Sequence, residues 1–498
     1  MPESRTVVVG SGPNGLAAAI VLAREGRRVT VLEGEEMPGG GCRSAELTLP
    51  GYVHDTCSTV HSLALASPFL RELPLERRGL ELAHPEAPLA HPLDDGTAVM
   101  LERARSDAGG NAAAERSVAA TAAGLGPDER AYRRLFGPLA RDAHTLFGEF
   151  LGPLRPPRHP LALARFGLSG IRSACGLLRS RFEGERARAL VAGCCAHSMV
   201  SLRTPASAAF GIVLVMGAHA VGWPVARGGS QRLTEALMAE LRAHGGEVET
   251  GRRVESLDEL GDAAPVMLDV TPRQLLRIAG TRLPDGYRRR LSGYRYGPGI
   301  FKLDWALDGP IPWRAPEAAR AGTVHLGGTL DEIVASEEAA VKGRHHDRPF
   351  VLLVQPSLFD PSRAPEGKHT AWAYCHVPSG STRDMTDAIE SQVERFAPGF
   401  RDLVAARSAM DSAEVERRNP NYVGGDINGG AQDLRQLWTR PVARPVPYST
   451  PVPGLFICSS STPPGGGVHG MCGYWAARAA LRDGAPTPAA PAGVRTSR

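Results

Sequence analysis

The residues best placed to do chemistry stand at the start of the chain. Gly10-Ser11-Gly12-Pro13-Asn14-Gly15 follows an apolar run from Thr6 to Val9, and Glu33 closes the next run, Val29 to Leu32. In this order they make a dinucleotide fingerprint. Gly10 permits a tight turn, Gly12 lets the backbone approach a pyrophosphate, and Gly15 lets the helix from Leu16 to Arg24 pack closely on its strand. The Glu33 carboxylate suits a ribose diol, because it accepts hydrogen bonds from both hydroxyls and would repel a 2′-phosphate; FAD or NAD is expected, not NADP. Glycines alone would be a weak signal, but strand, glycines, helix, strand and acid in register within about 30 residues form a specific one.

A second glycine pattern, Gly465, Gly467 and Gly470, follows the apolar run from Gly454 to Cys458. The short remainder of the chain ends in a Pro/Ala-rich stretch. That leaves no room for a second mononucleotide unit with its own acid, so one Rossmann site is expected rather than two.

The elements that must position these groups follow from periodicity. Pro127 to Phe150 reads as one helix with Tyr132, Leu135, Phe136, Leu139, Ala143, Leu146, Phe147 and Phe150 on one face, ended by Pro153 to Pro160. Pro224-Val-Ala-Arg-Gly-Gly-Ser230 leads into an amphipathic helix (Leu233, Leu237, Leu241), then Gly245-Gly246 and a strand reaching Val254 that returns to the first sheet. Ile300 to Asp304, Phe350 to Gln355 and Thr370 to His376 read as strands, and Asp387 to Phe396 as a helix. The expected fold is α/β: a discontinuous Rossmann-type domain (1–60, 224–290 and 416–482), an inserted α+β substrate or cap domain (61–223 and 291–415), and a disordered tail, 483–498.

Composition narrows the function. A net charge of +4 over 498 residues argues against a nucleic-acid protein. Lys302, Lys342 and Lys368 are the only lysines, and arginine supplies the remaining basic residues, as a GC-rich bacterial genome would favour. The eight cysteines (Cys42, Cys57, Cys175, Cys194, Cys195, Cys375, Cys458, Cys472) form no CxxC pair, so neither a metal site nor a disulfide framework is indicated and reduced thiols of the cytoplasm are expected. No basic-then-apolar leader precedes the first strand, which argues against a secretory signal. The longest run free of Asp, Glu, Lys and Arg, Thr204 to Val225, reads as a buried helix or strand rather than a membrane span, since Pro, Ser, His and glycines dilute it. Residues 151–182 hold six arginines and no acid among apolar residues. Such a segment either lies on an anionic membrane surface or carries a solvated arginine face, and Arg165, Arg172 and Arg179, seven apart, would share one helical face.

Four blocks together carry a resemblance: residues 7–44, Pro224 to Leu237, Asn419-Pro-Asn-Tyr-Val-Gly-Gly-Asp-Ile-Asn-Gly-Gly430, and Thr450 to Leu481. The chain resembles the phytoene desaturase-like branch of the flavin amine oxidase superfamily, which contains carotenoid desaturases and pyridine nucleotide-disulfide oxidoreductase domain 2 proteins. The resemblance implies FAD. It places Gly39, Gly40, Gly41, Arg43 and Ser44 at the pyrophosphate and flavin side, Val254 at adenine, and Gly465, Gly466, Gly467 and Val468 at a turn aiming a helix N-terminus at the flavin. The sequence departs in one place: many flavoproteins carry an acid after the last strand, whereas this chain reads Cys458-Ser459-Ser460-Ser461-Thr462 and offers the Ser460 hydroxyl.

A flavin desaturase takes a hydride to N5 and loses a proton from the neighbouring carbon. His469, inside the second glycine turn, is the first candidate for a polar contact to flavin or substrate, against a backbone-satisfied histidine. Lys302 either faces the flavin or pairs with Asp304; Tyr374 and His376 are further candidates. The expected function is desaturation or dehydrogenation of a hydrophobic substrate (isoprenoid, polyene or lipid-like), with oxygen or a quinone as electron acceptor because no second nucleotide site is left. The alternatives are a flavin oxidase of an amine or other small metabolite, a non-redox isomerisation, and a non-catalytic FAD-binding scaffold. The expected location is the cytoplasm, with a peripheral place on the membrane's inner face as the alternative.

Overall fold

The apolar runs that flank the fingerprint become buried parallel strands in the computed structural model, which describes residues 5–103 and 110–483. Five strands lie in the order Leu455–Ile457, Val266–Leu268, Thr6–Val9, Val29–Leu32, Glu247–Glu249, all parallel. The central strands are continuous apolar runs because both of their faces are covered. Val8, Val31, Met267 and Phe456 meet helices Pro13–Arg24, Gln231–Ala243 and Met471–Asp483. Val7, Val9, Leu268 and Ile457 meet Pro272–Ala279 and Asp285–Ser292 on the other side.

The second sheet has seven strands in the order Val404–Met410, Gly299–Leu307, His369–Val377, Val351–Val354, Ala321–Leu326, Ala87–Pro92, Ala98–Leu101. All pairs are antiparallel except Ala321–Leu326 with Ala87–Pro92. One face carries Phe301, Leu303, Trp305, Leu353 and Ala373, packed with Ile389, Val393 and Phe396 of helix Thr386–Phe396. Alternation sends the intervening residues to the opposite face. There the register aligns His325, Leu352, Tyr374, Lys302 and Met410 in one row, with Val354, Trp372 and Asp304 in the next. This face looks toward the glycine-motif segment, since the Trp372 indole donates to the Thr59 hydroxyl at 2.8 Å.

Three expectations need correction. Residues 127–150 form two helices, Glu129–Arg141 and Ala143–Phe150, divided at Asp142; Pro138 lies inside the first and leaves its ladder one donor short, yet both helices bury most of the expected stripe. The strand expected to reach Val254 stops at Glu249: Gly251 turns left-handed (φ 66°) and the Arg252 amide donates to the Glu33 carbonyl, carrying Val254 into a loop. Arg165, Arg172 and Arg179 do not share a face, because helices Pro160–Gly170 and Ala174–Arg181 meet at 92° with Arg172 in the break. Ser173 caps the second helix by accepting the Gly176 amide, which fixes its start. The apolar stretch near residue 210 is the helix Ser207–Ala220, and no single described helix is long and apolar enough to cross a membrane. The expected tail lies outside the described residues except for Asp483, which ends the last helix.

Candidate dinucleotide cleft and the sheet face beside it

Three glycines fix the cleft by close approach. A Cβ on Gly15 would lie 2.0 Å from the Gly10 carbonyl oxygen, so the first helix packs directly on its own turn. A Cβ on Gly40 would lie 3.1 Å from Gly12 Cα, which brings the two sequence-predicted glycine turns into contact. One on Gly41 would lie 2.1 Å from the Tyr422 hydroxyl. The helix starts with Pro13 at its first turn and its N-cap residue, Gly12, has no side chain to cap it; the Gly15 amide donates instead to the Asp269 carboxylate at 2.9 Å.

Gly10, Gly12, Glu33, Gly40, Arg43 and Val254 all line one open cleft of about 680 Å³, together with Asp269, Arg277, Arg418 and Asn421. The structure thus brings these sequence-predicted residues together. Glu33 is oriented by the backbone: it accepts the Ser11 amide at 2.9 Å, the Ser11 hydroxyl at 2.5 Å and the Glu35 amide at 3.0 Å. The Arg43 guanidinium donates to the carbonyls of Gly40 (2.8 Å) and Arg418 (2.6 Å), so the second glycine motif and the 419–430 block are tied at the cleft wall.

Asn14 donates to the Ser460 hydroxyl at 3.3 Å, joining the first helix to the last strand's loop. Gly466 and Gly467 lie in the turn before the last helix, where added Cβ atoms would meet the Asn428 carbonyl at 2.8 Å and Leu63 at 2.6 Å; Val468 packs on the large core. The same helix then presents Gly473, whose Cβ would fall 1.8 Å from the Asn14 carbonyl oxygen. The second glycine pattern is therefore a second strand-turn-helix laid against the first, with no separate sheet of its own.

His469 is buried, its Nδ1 accepts the Met471 amide at 3.0 Å, and the Ser67 hydroxyl donates to its carbonyl. Burial lowers its pKa to about 4, with the Gly465 and Gly466 carbonyls opposing, so near neutrality the ring is uncharged with its proton on Nε2. Nδ1 thus holds the start of the last helix, while the buried Nε2 finds no hydrogen-bond partner among the described residues. Lys302 pairs with Asp304 at 2.5 Å, both fully buried, and its ammonium lies 5.1 Å from the centre of the Trp372 ring. Burial pushes the Asp304 carboxyl up while Lys302 pulls it down. His54 stands 3.6 Å from Asp304, but burial, aided by Lys302, holds its pKa at about 3, so Lys302 is the cation of this group.

Several residues escaped the sequence reading. Asp269, at the end of strand Val266–Leu268, accepts the Gly15 amide at 2.9 Å; burial raises its pKa to about 7, opposed by that hydrogen bond and aided by Glu33. Arg363 is wholly buried between Asp55 (3.1 Å) and Asp360 (2.9 Å). Asp55 also accepts the Ser44 hydroxyl and the Ser230 amide, so this ion cluster clamps the 224–230 block to the glycine motif. Arg440 is buried with only carbonyl partners, Ser460 at 3.1 Å and Ala431 at 3.3 Å. Glu337 receives His376 Nδ1 at 2.8 Å and leaves the buried His376 Nε2 without a partner. Glu337 did leave a sequence signal: it is an acid at the helical repeat of Leu330, Ile333, Val334 and Ala340, where the helix turns inward. Arg363, on a loop, left none.

The cradle fits a dinucleotide on structural grounds: glycines packed too closely to admit a Cβ, a helix that starts at the mouth of the cleft, and an acid held at the far end. A family model described as an NAD(P)-binding Rossmann-like domain matches residues 8–73. The chain is 27% identical to the mouse pyridine nucleotide-disulfide oxidoreductase domain-containing protein 2 over 97% of its length and 94% of that protein. It is likewise 27% identical to the phytoene dehydrogenase of Streptomyces griseus, over 86% of this chain and 81% of that one. Among solved structures, a putrescine oxidase variant superposes with a TM-score of 0.60 at 16% identity, covering 96% of this chain and 98% of the other, a likeness of fold. Along most of its length the chain is therefore a homologue of the pyridine nucleotide-disulfide oxidoreductase domain-containing protein 2 proteins and the phytoene desaturases, built on a fold shared with the flavin amine oxidases.

Proposed function

We propose that the chain is an FAD-dependent oxidoreductase that dehydrogenates a hydrophobic substrate of isoprenoid, polyene or lipid-like character. The observation that carries this reading is the contact between the two glycine turns beside a buried sheet face. Gly10, Gly12, Pro13, Asn14 and Gly15 would hold the pyrophosphate with Gly40, Gly41 and Arg43; Glu33 would take the ribose and Val254 the adenine. Ser460, Gly466, Gly467 and Val468 would bound the flavin half. When bound, FAD supplies a hydride acceptor at N5. The chain's own task is to exclude water and to hold the substrate against that acceptor. Ile300, Leu352, Val354, Met199 and Met410 make the sheet face apolar enough for this. His376 Nε2, steadied through Nδ1 by Glu337, is a ring nitrogen on that face placed to receive the substrate's proton. Oxygen or a quinone is the acceptor this reading calls for, since FAD would fill this cleft.

The putrescine oxidase likeness raises an amine substrate as the second reading. An ammonium group would need an aromatic seat. Trp372 and Tyr374 are stacked at 5.8 Å on the sheet face, but the Lys302 ammonium already sits over Trp372. That occupant favours the apolar substrate. The visible spectrum of the purified protein, with mass identification of any released cofactor, tests the assignment: the two bands of oxidised flavin and released FAD are expected. Anaerobic bleaching by a polyene and not by putrescine would then fix the substrate class. A colourless protein that takes up no added FAD overturns the reading.

A further inference from the structure

The cofactor cleft leaves unused the arginine-rich segment 151–182, and its surface is inverted. Helix Pro160–Gly170 buries Phe166, Ser169 and Gly170, with Phe166 stacked 4.3 Å from Phe150. Outward it shows Leu161 (82% exposed), Ala164 and Leu168 (77%), followed by Ile171 (65%). These positions repeat at the helical period, so the solvent-facing stripe is apolar where a surface helix is ordinarily polar. Leu154 (68%) adds to it, giving four of the nine large apolar side chains exposed among the described residues. Such clustering marks an interaction surface.

The charges around the stripe select the partner. Arg165 and Arg179 are met by acids from outside the segment, Asp142 and Asp331. Arg155 rests on the Trp475 ring and the Gly148 carbonyl, and Arg172 on the Gly176 carbonyl and Ser180. The Arg158 and Arg181 side chains pair with no acid among the described residues. A second copy docking here would oppose these arginines with the same arginines, without an acid in the segment to answer them. An anionic lipid surface answers both features: the apolar stripe enters the acyl boundary and the arginines reach phosphates. The two helices meet at 92°, and the second buries Ala174, Cys175, Leu177 and Leu178 within the protein, so this wedge presents only its first helix's apolar stripe to a bilayer. Behind the wedge, helices Ala143–Phe150 and Ser207–Ala220 pack inward, the latter against Ser62–Ala66, whose Leu63 abuts Gly467. An apolar helical layer thus joins the exposed stripe to the second glycine turn.

We propose that residues 154–171 are a docking face for an anionic lipid bilayer. Flotation of the full chain with phosphatidylcholine vesicles, with and without phosphatidylglycerol, tests it. The anionic vesicles should carry up roughly fivefold more protein or better, and rising salt should reverse this. The double substitution Leu161→Asp with Leu168→Asp should abolish flotation in either salt. Arg158→Gln with Arg181→Gln should weaken it severalfold at low salt only. Unchanged circular dichroism separates these losses from misfolding. Failure of the unsubstituted protein to float, flotation indifferent to the leucine pair, or a dimer in size-exclusion chromatography that the leucine pair dissolves would each overturn the proposal, the last assigning the face to a second copy. The flavin spectrum stands apart from this test: a colourless protein that floats overturns the cofactor reading alone, and a yellow protein that does not float overturns the docking face alone.

Discussion

The dinucleotide cleft and the inner face of the seven-stranded sheet are both closely fitted, yet they are built from different materials. In the cleft the fit comes from missing side chains: Gly15 and Gly40 leave backbone against backbone, Gly12 and Gly41 make room for Asp269 and Tyr422, and the acid Glu33 is held by amide groups. On the sheet face the fit comes from polar side chains taken out of water, the ion pair of Lys302 with Asp304 and the hydrogen-bonded pair of His376 with Glu337, each almost wholly buried. A site made by backbone approach tolerates no added atom. A site made by buried charge tolerates no missing partner.

The largest break should come at the glycines. Gly15→Val would drive a branched side chain into the Gly10 carbonyl, and the strand-helix joint cannot yield without moving the sheet. We expect loss of bound dinucleotide by more than about a hundredfold, or loss of soluble folded protein, as an overpacked joint of this tightness implies. Uptake of added FAD, followed by fluorescence, reads the outcome; a Gly15→Val protein that binds FAD normally would place the cofactor elsewhere.

The sheet face should break differently. Lys302→Met leaves Asp304 buried without its cation, which costs about 3–5 kcal/mol. Replacing both, Lys302→Met with Asp304→Leu, should restore most of that stability, because an apolar pair of similar volume is often neutral in place of a buried ion pair. Urea midpoints of the three proteins measure this. If the double variant stays as unstable as the single one, the pair holds more than its own charges.

The same contrast explains what was legible in the sequence. The first βαβ unit was readable to the residue, Thr6–Val9 and Val29–Leu32, because every requirement of a backbone-built cradle falls within one short stretch and each needs one residue type. Lys302 with Asp304 was readable too, being two residues apart on one strand and hence on one face. Glu337 and His376, or Asp55 and Arg363, come from elements far apart in the chain, and only the sheet register brings them together. Helix ends were the least legible. The break between Gly170 and Ala174 was hidden because the heptad spacing of the arginines continues through it. In the strand expected to reach Val254, the alternating residues continue past Gly251 although its left-handed turn ends the pairing.

Asp269 belongs to both regimes, and its pH dependence sharpens the comparison. It is a buried acid, as on the sheet face, but its one strong partner is the Gly15 amide, as in the cleft. Burial raises its pKa from the ordinary 3.8 to about 7, so the folded state holds a proton that the unfolded chain releases near pH 4. Its contribution to stability is therefore greatest below about pH 4 and is lost as pH rises through about 7. Asp269→Asn keeps an oxygen to accept the Gly15 amide and removes the charge. Its advantage over the unsubstituted protein should be larger at pH 8 than at pH 5 by on the order of 2 kcal/mol, read from urea midpoints at the two pH values. It should also flatten the fall in FAD uptake between pH 6 and pH 8, because a charged Asp269 at the mouth of the helix would repel a pyrophosphate. A variant whose advantage is the same at both pH values would mean that Asp269 is already ionised at pH 5, and that the Gly15 amide outweighs burial there.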